Sequence, residues 1–171
     1  MKKIFLSLLA TTGFLLLHAQ NQFEIVPDEK GAKVLKGLIT KDILMNDPAF
    51  PWFAENQKNF IPDAAGVEAL RKNKDSVSFI IFGGTWCEDT QNVLPRFYKM
   101  ASLAEYPTDN ITLIAVDRNK KTLNHLSEAF GITNVPTFIV MKNGKEIGRV
   151  VEYGKTGMPD KEIGEIIAGL Q

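Results

Sequence analysis

Short apolar runs alternate along this chain with longer stretches whose apolar residues recur three and four positions apart, the signatures of buried strands and amphipathic helices. Val77 to Phe82 predicts a central strand and Ile111 to Val116 a second one. Between them, 88–104 sets Val93, Leu94, Phe97, Ala101 and Ala104 on one helical face, with Pro95 expected to remove a backbone hydrogen bond and kink the helix. A further helix is expected over 120–130, where Leu123, Leu126 and Phe130 keep helical spacing and Gly131 supplies the stop. Phe138 to Met141 and Lys145 to Val151 then flank Asn143-Gly144, a turn pair that folds them into an antiparallel hairpin. The last helix, 159–170, turns Ile163, Ile166, Ile167 and Leu170 inward.

Upstream of residue 77 the pattern is weaker. A short first strand is expected over 34–40, weakened by Gly37. The stretch 43–58 is helical in part, interrupted by Asp47-Pro48 and Pro51, and Trp52, Phe53 and Phe60 read as packing anchors. Asp63 caps a short helix through Val67 and Leu70 that ends near Asn73. Residues 20–33, with Pro27, Asp28 and Gly31, read as a flexible lead-in. A parallel strand pair joined by a helix and followed by a hairpin predicts an α/β fold, a mixed central sheet flanked by helices on both faces.

Composition narrows the organisation to one domain. The 171 residues, 44% hydrophobic, suit a single core over 34–171, with 34–76 giving an N-terminal strand and helices and 77–171 the main body. Twenty basic groups balance 20 acidic ones, and no basic stripe interleaves with aromatics, so a nucleic-acid partner has no electrostatic support. Residues 1–19 have the pattern of a signal peptide: Met1-Lys2-Lys3, a nearly all-apolar Ile4 to Leu17, and Ala19 at the cleavage point. The chain is therefore expected to be exported, periplasmic or secreted, without stable membrane insertion once the segment is removed. Loss of Lys2 and Lys3 would leave 18 basic against 20 acidic groups.

An exported chain with one cysteine has no internal disulfide available to it. Cys87 sits where the strand 77–82 gives way, through Gly83-Gly84, to the helix from Glu88. Unpaired N–H groups and the positive end of the macrodipole favour a thiolate at that position. Three readings stay open for it: a reactive thiol, an intermolecular partner, or an inert packed residue. Glu88 and Asp89 suit the helix dipole but oppose a neighbouring thiolate, or are ordinary solvated first-turn acids. His125 reads as a surface residue, and no ligand set for a metal is apparent.

Trp86-Cys87 at a strand-to-helix junction, Pro95 eight residues on, Asp117 after the next strand and Val135-Pro136-Thr137-Phe138 before a hairpin resemble the thioredoxin family over about residues 77–170. More narrowly, Gly84-Thr85-Trp86-Cys87-x-Asp89-Thr90, with Trp52-Phe53 upstream, is similar to an exported bacterial thioredoxin-like group with one cysteine. The resemblance implies a thioredoxin-like fold and a cis bond before Pro136, which packs beside Cys87 and presents the Val135 backbone to an extended substrate. Trp86 then forms an apolar rim, or packs as a structural residue. Two positions depart from the family: Thr90 stands where the resolving cysteine is expected, and Ile81 where a buried acid assists it. Thr90 either donates to the Cys87 thiolate or caps and packs the helix. The expected function is monothiol thiol-disulfide exchange through Cys87, with protein or small-molecule disulfides and an external thiol donor as partners, no cofactor, and a monomeric state. The competing expectation is a redox-inactive thioredoxin-fold module that binds peptides or proteins.

Overall fold

The computed structural model describes residues 22–169, so the expected signal peptide and the expected inward position of Leu170 lie outside the described residues. In chain order the elements are β1 (Phe23–Val26), β2 (Val34–Ile39), α1 (Lys41–Asn46), α2 (Trp52–Glu55), α3 (Ala64–Lys72), β3 (Ser78–Gly83), α4 (Glu88–Leu103), β4 (Ile111–Ala115), α5 (Leu126–Ala129), β5 (Thr137–Lys142), β6 (Lys145–Val151) and α6 (Pro159–Ala168). Six strands form one mixed sheet in the order β1-β2-β4-β3-β5-β6. Only β3 and β4 pair in parallel; the other four pairings are antiparallel. This is the mixed α/β sheet expected from the pattern and the thioredoxin-like fold that the resemblance implies, with β3 at its centre.

Alternation along β3 divides the core. Phe79 and Ile81 face the larger cluster, built with Phe97 of α4, Leu70 of α3 and Ile163 of α6. Phe82 faces the smaller one, with Ile114, Val135 and Ile139, against which Trp86, Cys87, Leu126 and Phe130 pack. Ile81, opposite Leu113 and Phe138 in the two neighbouring ladders, is fully buried among apolar side chains. The position where the resemblance implies a buried acid therefore lies within the apolar core.

Two expectations need correction. The lead-in 20–33 carries an edge strand, β1, paired along its length with Val34–Gly37. Gly37, read as a weakness, is what admits it: at φ +119° a side chain there would lie 2.4 Å from the Gln22 carbonyl oxygen, so the backbones approach only without a Cβ. The helix expected over 120–130 is the single turn α5, preceded by a 3-10 turn at Leu123–His125. Asp117 Oδ1 accepts from the backbone N–H groups of Asn119 and Lys121, building a turn of its own. Lys120, Asn124 and His125 all take left-handed φ near +55° to +60°, which a helix cannot contain. His125 is exposed, as expected.

The stretch 43–58 resolves into α1 and α2, separated at Asp47-Pro48 and Pro51 as the breakers indicate. Asp63 caps α3 through Gly66 N at 2.7 Å, and Asn143-Gly144 forms the hairpin turn with both residues at positive φ. Inside α4, Pro95 has no N–H to offer the Gln91 carbonyl one turn back. That orphan is taken by the Asn56 side-chain amide at 2.9 Å, so the end of α2 is stitched to the helix that carries Cys87.

Candidate functional site

Cys87 is the N-cap of α4, half-buried, with extended backbone at φ −93°. Its thiol donates to the Val135 carbonyl at 3.3 Å, across 48 residues of chain. The Val135–Pro136 bond is cis. The helix start and the loop before β5 therefore meet at the sulfur. Val135 is itself buried, so what it offers a ligand is backbone.

The loop leading to Cys87 is fixed at every residue. Trp86 lies flat against Gly84, where an added Cβ would sit 2.7 Å from the indole, and its Nε1–H donates to the Val116 carbonyl at 3.0 Å. The Thr85 carbonyl accepts from Gln91 Nε2 at 2.9 Å. Its hydroxyl donates to the Lys33 carbonyl at 2.8 Å and accepts from Leu35 N at 3.2 Å. Trp86 is half-buried and packs against the smaller core cluster.

Thr90 packs against the turn that precedes the thiol. Its hydroxyl accepts from Gly84 N at 3.2 Å and its methyl packs on Gly83, so the side chain supports the Gly83-Gly84 turn from beneath. Thr90→Val leaves that buried N–H unpaired and is expected to lower unfolding free energy in urea by about 1–3 kcal/mol. The rate of Cys87 modification should stay within about threefold of the parent. A loss of about a hundredfold at unchanged stability would return Thr90 to the thiol chemistry.

The rim carries charge of both signs. On one side the Asp89 carboxyl is pushed up, first by burial and then by the Glu152 and Glu88 carboxylates; Glu88 and Asp89 follow Cys87 in the chain, and the Glu152 N–H donates to the Pro136 carbonyl at 2.7 Å. On the other, the Arg118 guanidinium lies over the Trp86 ring, 5.1 Å from its centre. Arg118 donates from Nε and Nη2 to the two Asp28 oxygens and holds the Asp28 carboxyl down to about 2. A cleft of about 400 Å³ lined by Asp28, Lys30, Val34, Asp117 and Arg118 opens beside this pair. Among the described residues no group of three or more His, Cys, Asp and Glu is placed to hold a metal ion.

Sequence reasoning missed Arg118, Asp28, Thr85, Asn56 and Gln91 as residues that hold the loop and helix flanking Cys87. Only Pro95 carried a signal for the last two, through the carbonyl it leaves unpaired.

A sequence model of the family described as thioredoxin matches residues 52–158. A thioredoxin of the sponge Geodia cydonium is 32% identical over 105 residues, 60% of this chain and 93% of its own length. A thioredoxin-like protein of Acanthamoeba polyphaga mimivirus is 31% identical over 90 residues, 53% of this chain and 63% of its own. Among solved structures, a Pseudomonas aeruginosa protein of unknown function superimposes with a TM-score of 0.54 at 19% identity, covering 76% of this chain and 91% of that one.

Proposed function

This chain belongs to the thioredoxin family, and on that premise we propose that it performs monothiol thiol-disulfide exchange through Cys87, with a thiol from outside the chain completing each cycle. The observation that carries this reading is the meeting of the Cys87 sulfur, at the start of α4, with the Val135 carbonyl at 3.3 Å. A substrate sulfur that reaches Cys87 passes along the residue-135 backbone, with Trp86 as the opposite wall.

In the exchange, the Cys87 thiolate attacks one sulfur of the substrate disulfide. A Cys87–substrate disulfide forms as the substrate S–S bond breaks, and the other sulfur leaves as a thiolate that takes a proton from water. Thr90 has no thiol to resolve that bond; its hydroxyl oxygen accepts from Gly84 N. A second thiolate, from a small molecule or a protein, therefore attacks the substrate sulfur and frees Cys87. One disulfide is exchanged for another and the chain ends unchanged. We place this activity outside the cytoplasm, where disulfides persist; the basic start and apolar run of residues 1–19 support that setting.

Cystamine and dithiodiglycolate, small disulfides of opposite charge, test the reading. The expected result is a single adduct by intact mass, located at Cys87 and removed by added thiol. Glu88, Asp89 and Glu152 make the cationic disulfide the faster of the two by about three- to tenfold at low ionic strength, the ratio falling toward one as salt screens them. Absence of an adduct from either disulfide would overturn the proposal.

A further inference from the structure

Residues 28–35 lie outside the stretch that the family matches, yet they grip both residues that precede Cys87. Thr85 is held by Lys33 and Leu35 through the two hydrogen bonds of its hydroxyl. Trp86 is held through Arg118, whose guanidinium covers the indole at 5.1 Å while its other side meets Asp28. The Asp28 carboxylate is only 3% exposed. It accepts from Arg118 Nε, from Arg118 Nη2 at 3.0 Å and from Ala32 N at 2.9 Å. A two-pronged acceptor fixes the plane of a guanidinium that would otherwise rotate freely on a long side chain. With its plane fixed, Arg118 acts as a lid on the indole, which Gly84 and the Val116 carbonyl hold from other directions.

We infer that the Asp28–Arg118 pair is a positioning device for Trp86, and that through Trp86 it sets how well Cys87 engages a disulfide carried on an extended peptide. The second half of this inference rests on the exchange reading above; the first does not. A peptide disulfide must lie against Trp86 and the Val135 backbone together, so it loses a wall when the indole is released. A small disulfide needs only the sulfur. Arg118 is a positioning residue here and touches no reacting atom.

The test uses the full chain with Trp52→Phe, which leaves Trp86 as the sole tryptophan, and compares Asp28→Asn, Arg118→Gln and the conservative Asp28→Glu. In Asp28→Asn and Arg118→Gln, Trp86 emission is expected to shift to the red and acrylamide quenching to rise about twofold as the cation leaves the ring. The apparent KM for a disulfide between two eight-residue peptides should rise about tenfold, while the rate with cystamine stays within about twofold. Asp28→Glu, which keeps the carboxylate, should remain near the parent in both readouts. Unchanged emission, quenching and peptide KM in folded Asp28→Asn would overturn the inference, as would equal losses toward peptide and cystamine. Should Arg118→Gln not fold, Asp28→Asn, which preserves side-chain size, decides alone. A parent that reacts with neither disulfide removes the exchange reading, and emission and quenching then decide the clamp without it: a shift supports it and no shift overturns it.

Discussion

Cys87→Ser is expected to abolish disulfide exchange, lowering adduct formation by at least about a thousandfold, because the chain's only sulfur nucleophile becomes an alcohol that is not ionised at neutral pH. The substitution changes one atom. A serine hydroxyl can donate to the same Val135 carbonyl that the thiol meets at 3.3 Å, so unfolding free energy should stay within about 1 kcal/mol of the parent. Intact-mass detection of the cystamine adduct, with urea unfolding beside it, reads both effects. The same variant separates exchange from a binding module built on the Trp86–Val135 groove. A binding module keeps its peptide affinity and its biological effect in Cys87→Ser, whereas an exchange protein loses the effect.

The second large effect is on stability. Phe79→Ala removes a ring from near the start of β3, only 1% exposed and in edge contact with Phe97 at 4.9 Å and Tyr106 at 5.5 Å. Truncating such a residue costs the transfer energy of the ring plus the cavity left behind, about 3–5 kcal/mol. Set against a typical total of about 5–15 kcal/mol, that brings the domain close to unfolding at ambient temperature. The loss reaches the site as well, because β3 runs directly into the Gly83-Gly84 turn beneath Trp86. Urea unfolding of the variant measures the cost; a change below about 1 kcal/mol would mean that α4 collapses into the space.

The centre of the molecule was legible because its signals are local. The apolar run 77–82, the glycine pair, the cysteine and the face of α4 are contiguous, and each says the same thing about the turn they form. Val135-Pro136-Thr137 was legible only through resemblance, since nothing in three residues announces which helix start they will meet. The edges were harder to read. β1 is four residues long, and its evidence lay in Gly37, whose missing side chain weakens a strand in isolation and admits a neighbour in context. Leu126 and Phe130 are paired across the single turn α5, but Leu123 kept that spacing by coincidence. The Asp117 turn and the left-handed residues at 120, 124 and 125 decide the local path there, and Leu123 instead packs toward Gly37.

The clamp was the least legible feature. Asp28 and Arg118 are 90 residues apart, in segments whose composition reads as turn, and no periodicity links them. Thr90 illustrates a different limit. The sequence places a hydroxyl where the resemblance expects a resolving thiol, but it does not show that the hydroxyl oxygen accepts from Gly84 N in the Gly83-Gly84 turn. Asn56 belongs with these: the carbonyl freed by Pro95 can be named from the sequence, the side chain that answers it cannot.

The most direct measurement is a count of substrate thiols released from an excess of a protein disulfide, with and without an added thiol. Monothiol exchange requires that, with no other thiol present, release stops at about one thiol per chain, with Cys87 capped as a mixed disulfide, and resumes in proportion to the thiol then added. Release well beyond one thiol per chain without added thiol, or no release at all, would contradict it.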